Sequence, residues 1–313
     1  MPTTRHPFKA PRTARTRPGH PSGPPSVPPP DPRGRRVGFL GRPLLAARIG
    51  TVAVAAELVH ATAFVGEGVQ LGPGARVGPH AVLLGPCTVG ANVFIGAGAC
   101  IGGPPEISTL RQNTAWTGDL EHQGVQIGDD VVIRDLVVIH QGSRRPTRIG
   151  SRSWLLNSSY VAHDVQVGED VVLSAGVKVG GHALIGARAN LGMNAMVHQG
   201  RAVGSGVMVG MGTPVTADVP PFARLYGMPP RIAGVNSVLL QRLGHSTTLA
   251  EALSAAYRTG DMALRSLASR ADAGAIAAEL AWWDEVASSR PAKAAVPGNS
   301  NGPAAPVTAG GPA

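Results

Sequence analysis

The sequence has few cysteines, few aromatic side chains and no long apolar run. Its 313 residues include two cysteines, Cys87 and Cys100, and the aromatic share is 4%. The two cysteines form no CxxC pair and lack metal-ligand spacing, which predicts buried free thiols in a reducing compartment. No apolar stretch reaches the length of a transmembrane helix, so no stable insertion into a membrane is expected.

Net charge is also missing from most of the chain. The formal charge of +9 resides in residues 1–50, which hold ten Lys or Arg and one acidic residue, whereas the remainder holds 18 of each sign. A basic tail without interleaved aromatic side chains is not a nucleic-acid platform. No nucleic-acid partner is therefore expected.

Both ends of the chain have compositions typical of disorder. Residues 1–50 are rich in Pro and Arg, and residues 291–313 are rich in Ala, Gly and Pro, which predicts two disordered tails. The pair Arg35-Arg36 faintly resembles a twin-arginine export signal. Because Arg42 and Arg48 interrupt the apolar stretch behind it, a cytoplasmic location is favoured over export.

Glycine and aliphatic residues, in contrast, are abundant and periodic. The chain has 42 glycines and a hydrophobic share of 43%, which predicts an aliphatic core in a repetitive β fold. A Val, Leu or Ile recurs every six residues, and glycine often follows it. The periodic positions are Val59, Val65, Leu71, Val77, Leu83, Val89, Ile95, Ile101, Ile127, Ile133, Ile139, Ile149, Leu155, Val161, Val167, Leu173, Val179, Ile185, Leu191, Val197, Val203, Val209 and Val215.

The six-residue period predicts short strands that each point one aliphatic side chain inward before the chain turns a corner. Known hexapeptide-repeat proteins have three such sides per coil and form a triangular prism, so residues 57–221 are interpreted as a left-handed parallel β-helix. A small α-helical domain is predicted at 222–290, with helices from about Ser237 to Ser289 and a break at Thr259-Gly260-Asp261.

Two insertions interrupt the repeat. One is a long loop between Ile101 and Ile127, and the other adds four residues between Ile139 and Ile149, around Ser143 to Pro146. Long loops that leave a regular solenoid are usually functional, although a simple insertion is the alternative.

The histidines give the strongest indication of function. With 18 residues per coil, and with the four extra residues removed, four histidines fall at nearly the same angle around the prism. These are His140, His163, His182 and His198. A single histidine at a corner would be explained by solvation, whereas four in register predict a functional site.

Neutral imidazole can act as a general base near pH 7. Asp164 could support the ring of His163, although adjacent strand residues normally point apart. Gly180-Gly181 offers backbone N–H groups suited to an oxyanion. No Ser or Cys has a partner base, which favours direct transfer over a covalent intermediate. Zinc bound by three histidines is the competing interpretation.

Several segments resemble the acyl-carrier-protein–UDP-N-acetylglucosamine O-acyltransferase family of lipid A biosynthesis, and the resemblance extends over about residues 57–290. The segments that carry it are NSSYVAHDVQVG (157–168), VGGHALIG (179–186), MVHQ (196–199), DVPP (218–221) and GVNSVLLQRLGHS (234–246).

The resemblance implies an enzyme that moves a fatty acyl group from a carrier-protein thioester to the hydroxyl of a UDP-amino sugar. His163 would be the general base, Asp164 would support it, and the N–H of Gly181 would hold the oxyanion. Met211 would lie where the family measures acyl-chain length. The residues expected to contact the sugar nucleotide are His140, Tyr160, His182, His198, Gln199, Asn236 and Arg242.

The same resemblance implies a homotrimer with active sites between neighbouring prisms. It implies no metal and no cofactor other than the phosphopantetheine of acyl-carrier protein. This chain departs from the family at Tyr160, where His is frequent, and at Val238 and Leu243 on the UDP side. Its loop reads Glu106-Ile107-Ser108-Thr109 in place of a Gln-Asp-Leu-Lys sequence. Coenzyme A-dependent acetyl transfer to a sugar or amine is the alternative function.

Overall fold

The structure is a computed structural model that describes residues 58–110, 112, 123–267 and 269–289. The predicted tails, 1–50 and 291–313, lie outside the described residues, as do Arg111 and most of the remaining loop before Gln123. None of the helices in the described ranges is long and apolar enough to cross a membrane.

Before residue 216, the described part of the chain has twenty-two short strands that wind in strict rotation over three faces, and strands of successive coils pair in parallel. Face 1 contains β1 (Phe64–Val65), β4 (Val82–Leu83), β7 (Cys100–Gly103), β10 (Val138–His140), β13 (Tyr160–Val161), β16 (Lys178–Val179), β19 (Met196–Val197) and β22 (Pro214–Val215). Face 2 contains β2 (Val69–Leu71), β5 (Cys87–Val89), β8 (Val125–Ile127), β11 (Thr147–Ile149), β14 (Gln166–Val167), β17 (Leu184–Ile185) and β20 (Ala202–Val203). Face 3 contains β3 (Arg76–Val77), β6 (Phe94–Ile95), β9 (Val132–Ile133), β12 (Trp154–Leu155), β15 (Val172–Leu173), β18 (Asn190–Leu191) and β21 (Met208–Val209).

The periodic aliphatic residues form the core that the sequence predicts. From Val77 to Val215 each of them is buried, whereas Val59, Val65 and Leu71 in the first coil are half-buried. The predicted parallel β-helix is therefore confirmed, and both cysteines are free. Burial raises the pKa of Cys87 to about 12. Cys100 is only partly buried, which corrects the expectation of two buried thiols.

The C-terminal region does not begin with a helix. A β-hairpin of β23 (Ala223–Tyr226) and β24 (Arg231–Val235) extends face 3 beyond β21, with β24 antiparallel to β23. The region predicted at 222–290 as a helical domain therefore opens with a hairpin before its first helix. The hairpin has no six-residue period, but Ala223 and Leu225 alternate with exposed residues, and that period of two was available in the sequence.

The helices then follow where they were expected. They are α1 (Ser237–Arg242), α2 (Thr247–Thr259) and α3 (Ala277–Ser288), with short 3-10 segments at Arg265–Leu267 and Ala271–Ile276. Gly260 caps the C-terminus of α2 with a φ of 81°, a left-handed conformation that glycine adopts without steric cost. The predicted break at Thr259-Gly260-Asp261 is confirmed.

Leu173→Ala should destabilise the solenoid. The side chain of Leu173 is fully buried in β15, and removing it leaves a cavity between coils, which costs about 2–5 kcal/mol. Denaturant unfolding followed by circular dichroism measures the change. Val172→Ala, on the outer surface of the same strand, is the matched control and should cost less. Equal losses for the two variants would contradict an inward position for Leu173.

Candidate active site

The four predicted histidines lie along one edge of the prism, where face 1 turns into face 2. They accompany β10, β13, β16 and β19, which are consecutive strands of face 1. We call this edge the histidine corner. The rings of His163 and His182 meet edge to face, with centroids 4.9 Å apart. The column that residue spacing predicts is therefore present.

His163 and Asp164 are neighbours in sequence and also in contact. Nδ1 of His163 lies 2.7 Å from Oδ2 of Asp164. The alternation expected for adjacent strand residues does not apply because Asp164 occupies a corner with a φ of 62°. Asp and Asn tolerate this left-handed conformation better than most residues, and it turns the carboxylate back toward the imidazole.

The four extra residues, 143–146, wrap the carboxylate of Asp164, and we call them the insertion turn. The backbone N–H groups of Ser143, Arg144 and Arg145 donate hydrogen bonds of 2.7–3.1 Å to it. The hydroxyl of Ser143 donates another at 2.7 Å. Thr147 holds the backbone of Asp164 by accepting from its N–H at 2.9 Å. The insertion thus contacts a residue of the candidate site directly.

These contacts keep a buried carboxylate charged. Burial by itself would raise the pKa of Asp164, but the hydrogen bonds from the insertion turn and from His163 outweigh it and hold the pKa well below its usual range. An ionised carboxylate only accepts hydrogen bonds, so Nδ1 of His163 must carry the proton. In the neutral ring the lone pair is then on Nε2, which is the form a general base requires.

Gly181 lies directly against that nitrogen. A Cβ placed on Gly181 would be 2.6 Å from both Cε1 and Nε2 of His163, closer than nonbonded atoms approach. The N–H of Gly181 has no acceptor among the described residues. The residue that contacts the ring nitrogen thus also has a backbone N–H available as a donor, as a site with a base and an oxyanion donor requires.

His182 faces the same oxygen of that carboxylate as His163 does. Its Nδ1 is 3.8 Å from Oδ2 of Asp164, and its side chain is 41% exposed. Burial lowers the pKa of His182, and the nearby positive charges of Arg144 and Arg145 lower it as well, against the attraction of Asp164. The ring is thus kept neutral, which leaves it free to donate or accept a hydrogen bond to a ligand.

At the end of the column nearest the N-terminus, the ring of Tyr160 packs against the ring of His140. The two rings meet edge to face with centroids 5.2 Å apart, and the hydroxyl of Tyr160 donates to Oε2 of Glu106 at 2.8 Å. His140 is buried and, within the described part of the chain, its Nδ1 has no partner. Burial lowers the pKa of His140, and Glu106 opposes the shift. Glu106 lies in the loop whose sequence differs from the family pattern, and it is hydrogen-bonded to Tyr160, the position where the family frequently has His.

The remaining predicted residues are placed differently. His198 and Gln199 are exposed at the end of the histidine corner nearest the C-terminus. Met211 is exposed at a different edge of the prism, where face 3 turns into face 1. Asn236 caps α1 through Oδ1 and donates from Nδ2 to the carbonyl of Gly206 at 2.9 Å. Neither Asn236 nor Arg242 hydrogen-bonds to a histidine within the described ranges.

Sequence reasoning missed the cap role of Asn236, Glu106 as the partner of Tyr160, and the insertion turn as the partner of Asp164. Two signals were available. Asn immediately before a helix is a typical N-cap, and the insertion lies one coil before Asp164. The contact between Glu106 and Tyr160 had no signal because the course of an irregular loop cannot be read from its residues.

Gly181→Ala should displace the imidazole of His163. Its Cβ would occupy space that the ring now fills, and a shift of about 1 Å in a reacting group can cost on the order of 10²-fold in rate. We expect kcat to fall by that order with little change in thermal stability, because a side chain rather than backbone must move. Gly274→Ala, where a Cβ meets nothing within 4 Å, is the control. Full activity of Gly181→Ala would contradict the contact.

The sequence profiles of known families match the chain in the order of its folded parts. The bacterial transferase hexapeptide profile matches residues 68–103 and 146–181, and the hexapeptide repeat of succinyl-transferase matches 183–217. Domain 2 of UDP N-acetylglucosamine O-acyltransferase matches 218–280. A solved structure of LpxA from Acinetobacter baumannii superposes with a TM-score of 0.64 at 25% identity, covering 72% of this chain and 97% of that one.

The prism and its histidine corner define a hexapeptide-repeat acyltransferase. Two curated relatives carry the name acyl-[acyl-carrier-protein]–UDP-N-acetylglucosamine O-acyltransferase. The one from Syntrophobacter fumaroxidans is 38% identical over 205 residues, covering 64% of this chain and 76% of the relative. The one from Azorhizobium caulinodans is 49% identical over 197 residues, covering 62% and 70%. The chain belongs to the acyl-[acyl-carrier-protein]–UDP-N-acetylglucosamine O-acyltransferase family.

Proposed function

We propose that the chain transfers a fatty acyl group from the thioester of acyl-carrier protein to the hydroxyl of a UDP-amino sugar, with His163 as general base. The observation that supports this most is the arrangement of His163 between a charged Asp164 and Gly181. It supports a tautomer with the proton on Nδ1 and a free Nε2, and the backbone of Gly181 lies against the same ring. General base catalysis of this kind contributes about 10²- to 10⁴-fold in rate.

In the proposed reaction, Nε2 of His163 takes the proton from the sugar hydroxyl as its oxygen attacks the thioester carbonyl. The negative charge of the tetrahedral intermediate is held by the N–H of Gly181. Collapse of the intermediate breaks the carbon–sulfur bond, and the imidazolium returns its proton to the departing phosphopantetheine thiol. Asp164 remains ionised throughout and stabilises the transient imidazolium.

The acceptor would lie along the histidine corner. His182 is neutral and 41% exposed, and His198 and Gln199 offer exposed polar groups below it. Arg242 would contribute to UDP binding, because a guanidinium fork suits phosphate. Asn236 would add its backbone or the second lone pair of Oδ1, since its side-chain atoms already have partners.

A homotrimer would complete this site. Within one chain the helical residues that the family implies for UDP binding do not hydrogen-bond to the histidine corner in the described ranges. Active sites in clefts between neighbouring prisms would bring both sets together. Light scattering of the purified protein tests the assembly, and a fully active monomer would contradict it.

The proposed reaction requires no cofactor other than the phosphopantetheine of the donor, and it takes place where acyl-carrier protein and UDP-sugars occur, in the cytoplasm.

The alternative is a metal site, because ligand atoms of His163, Asp164 and His182 lie within 4.8 Å of one another. A metal would have to displace the hydrogen bonds that the insertion turn donates to Asp164. Stoichiometric zinc in the purified protein, with loss of activity on chelation, would favour that alternative.

A donor and acceptor panel read by mass spectrometry tests the proposal. Acyl-carrier proteins with several chain lengths and acetyl-coenzyme A serve as donors, and UDP-N-acetylglucosamine, its 3-amino analogue and other UDP-sugars serve as acceptors. We expect products from long-chain acyl-carrier protein and a UDP-amino sugar. Turnover of acetyl-coenzyme A alone would contradict the donor and indicate an acetyltransferase.

A further inference from the structure

A cavity of about 530 Å³ opens beside the histidine corner, and we call it the arginine cavity. The residues that line it are Arg144, Arg145, His182, Leu184, Gly200 and Ser289. None of these six residues is acidic. His182 also packs against His163, with ring centroids 4.9 Å apart. The cavity therefore adjoins the proposed base through a direct contact.

The two arginines of this cavity are not neutralised by ion pairs within the described part of the chain. Both side chains are exposed, whereas Arg152 and Arg188 each pair with a carboxylate. Nε of Arg145 donates to the backbone carbonyl of Asp164 at 3.0 Å, and the terminal guanidinium nitrogens of both residues make no hydrogen bond in the described ranges. Their donors are thus available to a ligand.

The insertion turn holds these arginines beside the histidine corner. The carboxylate of Asp164 accepts from the backbone N–H groups of Arg144 and Arg145 at 2.7 and 2.9 Å, so the backbone of the turn is fixed. Besides burial, the positive charges of the two arginines lower the pKa of His182, which means that both charges act at a ring that lines the cavity. Guanidinium groups in fixed positions suit phosphate oxygens, which they can bind in pairs.

Two phosphate groups take part in the proposed reaction, the diphosphate of the acceptor and the phosphodiester of the donor's phosphopantetheine. In a nucleotide sugar the reacting hydroxyl and the diphosphate are attached to the same sugar ring. A hydroxyl at Nε2 of His163 therefore places the diphosphate close by, at the distance of a neighbouring side chain such as His182. In the donor the whole pantetheine arm separates the thioester from the phosphodiester, so that phosphate would lie farther away. The geometry favours the acceptor.

A second cavity, of about 660 Å³, continues from the arginine cavity along face 2 and shares Arg145 and Ser289 with it. Glu279 and Glu285 line this larger cavity, and their charges disfavour phosphate there. Trp282 lines it as well, and an aromatic ring is a surface on which a nucleobase can stack. A nucleoside attached to a diphosphate in the arginine cavity would thus have room next to it.

We propose that Arg144 and Arg145 bind the diphosphate of the acceptor in the arginine cavity, within the same chain that provides His163. The inference rests on the proposed function. It adds a phosphate contact on the insertion turn to the one that the family resemblance implies for Arg242. The turn would then have two roles, because its backbone holds Asp164 and its side chains hold the acceptor.

The experiment measures the binding of UDP and of uridine by isothermal titration calorimetry to Arg144→Ala, Arg145→Ala and the double variant. Alanine keeps the backbone N–H groups that hold Asp164, so the base stays in place. Arg76→Ala is the matched control, since Arg76 is an exposed arginine on the outside of β3 and its loss removes the same charge. Steady-state kinetics then gives KM for UDP-N-acetylglucosamine and for acyl-carrier protein separately.

We expect each single substitution to weaken UDP binding about tenfold, and the double substitution about 10²-fold, because each removes a hydrogen bond between charged groups. Uridine binding should not change, because uridine has no phosphate. Added salt should weaken UDP binding to the wild type more than to the double variant. In the kinetics, KM for UDP-N-acetylglucosamine should rise while kcat changes little, and Arg76→Ala should behave as the wild type.

Unchanged UDP affinity in the double variant overturns the inference. An equal loss for UDP and uridine also overturns it, because it would indicate an altered fold rather than a lost phosphate contact. A rise in KM for acyl-carrier protein alone would assign the arginines to the donor and overturn it as well. UDP binding is measured without turnover. Arginine-dependent UDP binding in a protein that transfers no acyl group would therefore contradict the proposed function and still support the phosphate site.

Discussion

Replacement of His163 by alanine should lower kcat/KM for acyl transfer by about 10²- to 10⁴-fold, the contribution of a positioned general base. The variant loses the Nε2 of His163, and among the histidines that the structure describes no other has Nδ1 within hydrogen-bonding distance of the Asp164 carboxylate, since Nδ1 of His182 is 3.8 Å away. Product formation by mass spectrometry under saturating donor measures the loss.

His60→Ala is the matched control for this prediction. His60 is an exposed histidine of the first coil whose ring contacts Thr62, far along the chain from the histidine corner. Its removal should leave the rate unchanged. A His163→Ala protein that folds with normal thermal stability and retains activity within about tenfold of wild type would remove His163 from the role of base.

Asp164→Asn should lower the rate by a comparable amount, about 10²- to 10⁴-fold, although Asp164 touches no substrate. The amide keeps the shape of the side chain but loses the charge that stabilises the imidazolium. Its NH₂ group also cannot accept from the backbone N–H groups of the insertion turn, so one or more donors lose their partner. Single-turnover measurements should place the loss in the chemical step rather than in KM.

Unfolding free energies measured over a pH series test whether the charge of Asp164 also stabilises the fold. Because the folded-state pKa of Asp164 is lowered, its charge stabilises the fold above the unfolded pKa of about 4, and that contribution is lost as the pH falls toward the lower folded value. The difference in unfolding free energy between wild type and Asp164→Asn should therefore be largest near neutral pH and shrink in acid.

Asp170→Asn is the control with the same geometry. Asp170 also occupies a corner with left-handed φ, 56°, but its carboxylate is partly exposed and pairs with Arg152. Asn tolerates that conformation, so activity should not change. Equal losses in the two variants would indicate that any corner substitution disturbs the solenoid, and would contradict a specific role for Asp164.

Much of this architecture could be predicted from sequence because it depends on local, repeated physics. Each periodic aliphatic such as Ile133 or Leu173 is buried by the coils next to it, so position along the chain translates directly into position in space. The same relation between sequence position and position in space predicts that His163, His182 and His198 share one edge, with no knowledge of any contact.

The parts that could not be predicted are those where the period stops. The bond between Glu106 and Tyr160 depends on the path of an irregular loop, and the hairpin before α1 depends on a new alternation that begins at Ala223. The pairing of His163 with Asp164 was doubtful on strand geometry alone. The pairing is possible because Asp164 lies at a corner with a positive φ, where the alternation of side chains along a strand does not apply.

The insertion turn also resolves an ambiguity inherent in a repetitive solenoid. Sliding one part of the chain by 18 residues would leave the aliphatic positions filled, so the core alone discriminates poorly between the native alignment and a slipped one. Only the native alignment brings the N–H groups of Ser143, Arg144 and Arg145 to the carboxylate of Asp164. In a slipped alignment that buried charge would lose these backbone donors and keep only His163, and loss of hydrogen bonds to a buried charge is costly. The hydrogen bonds that keep Asp164 charged therefore also favour the native alignment of the coils over a slipped one.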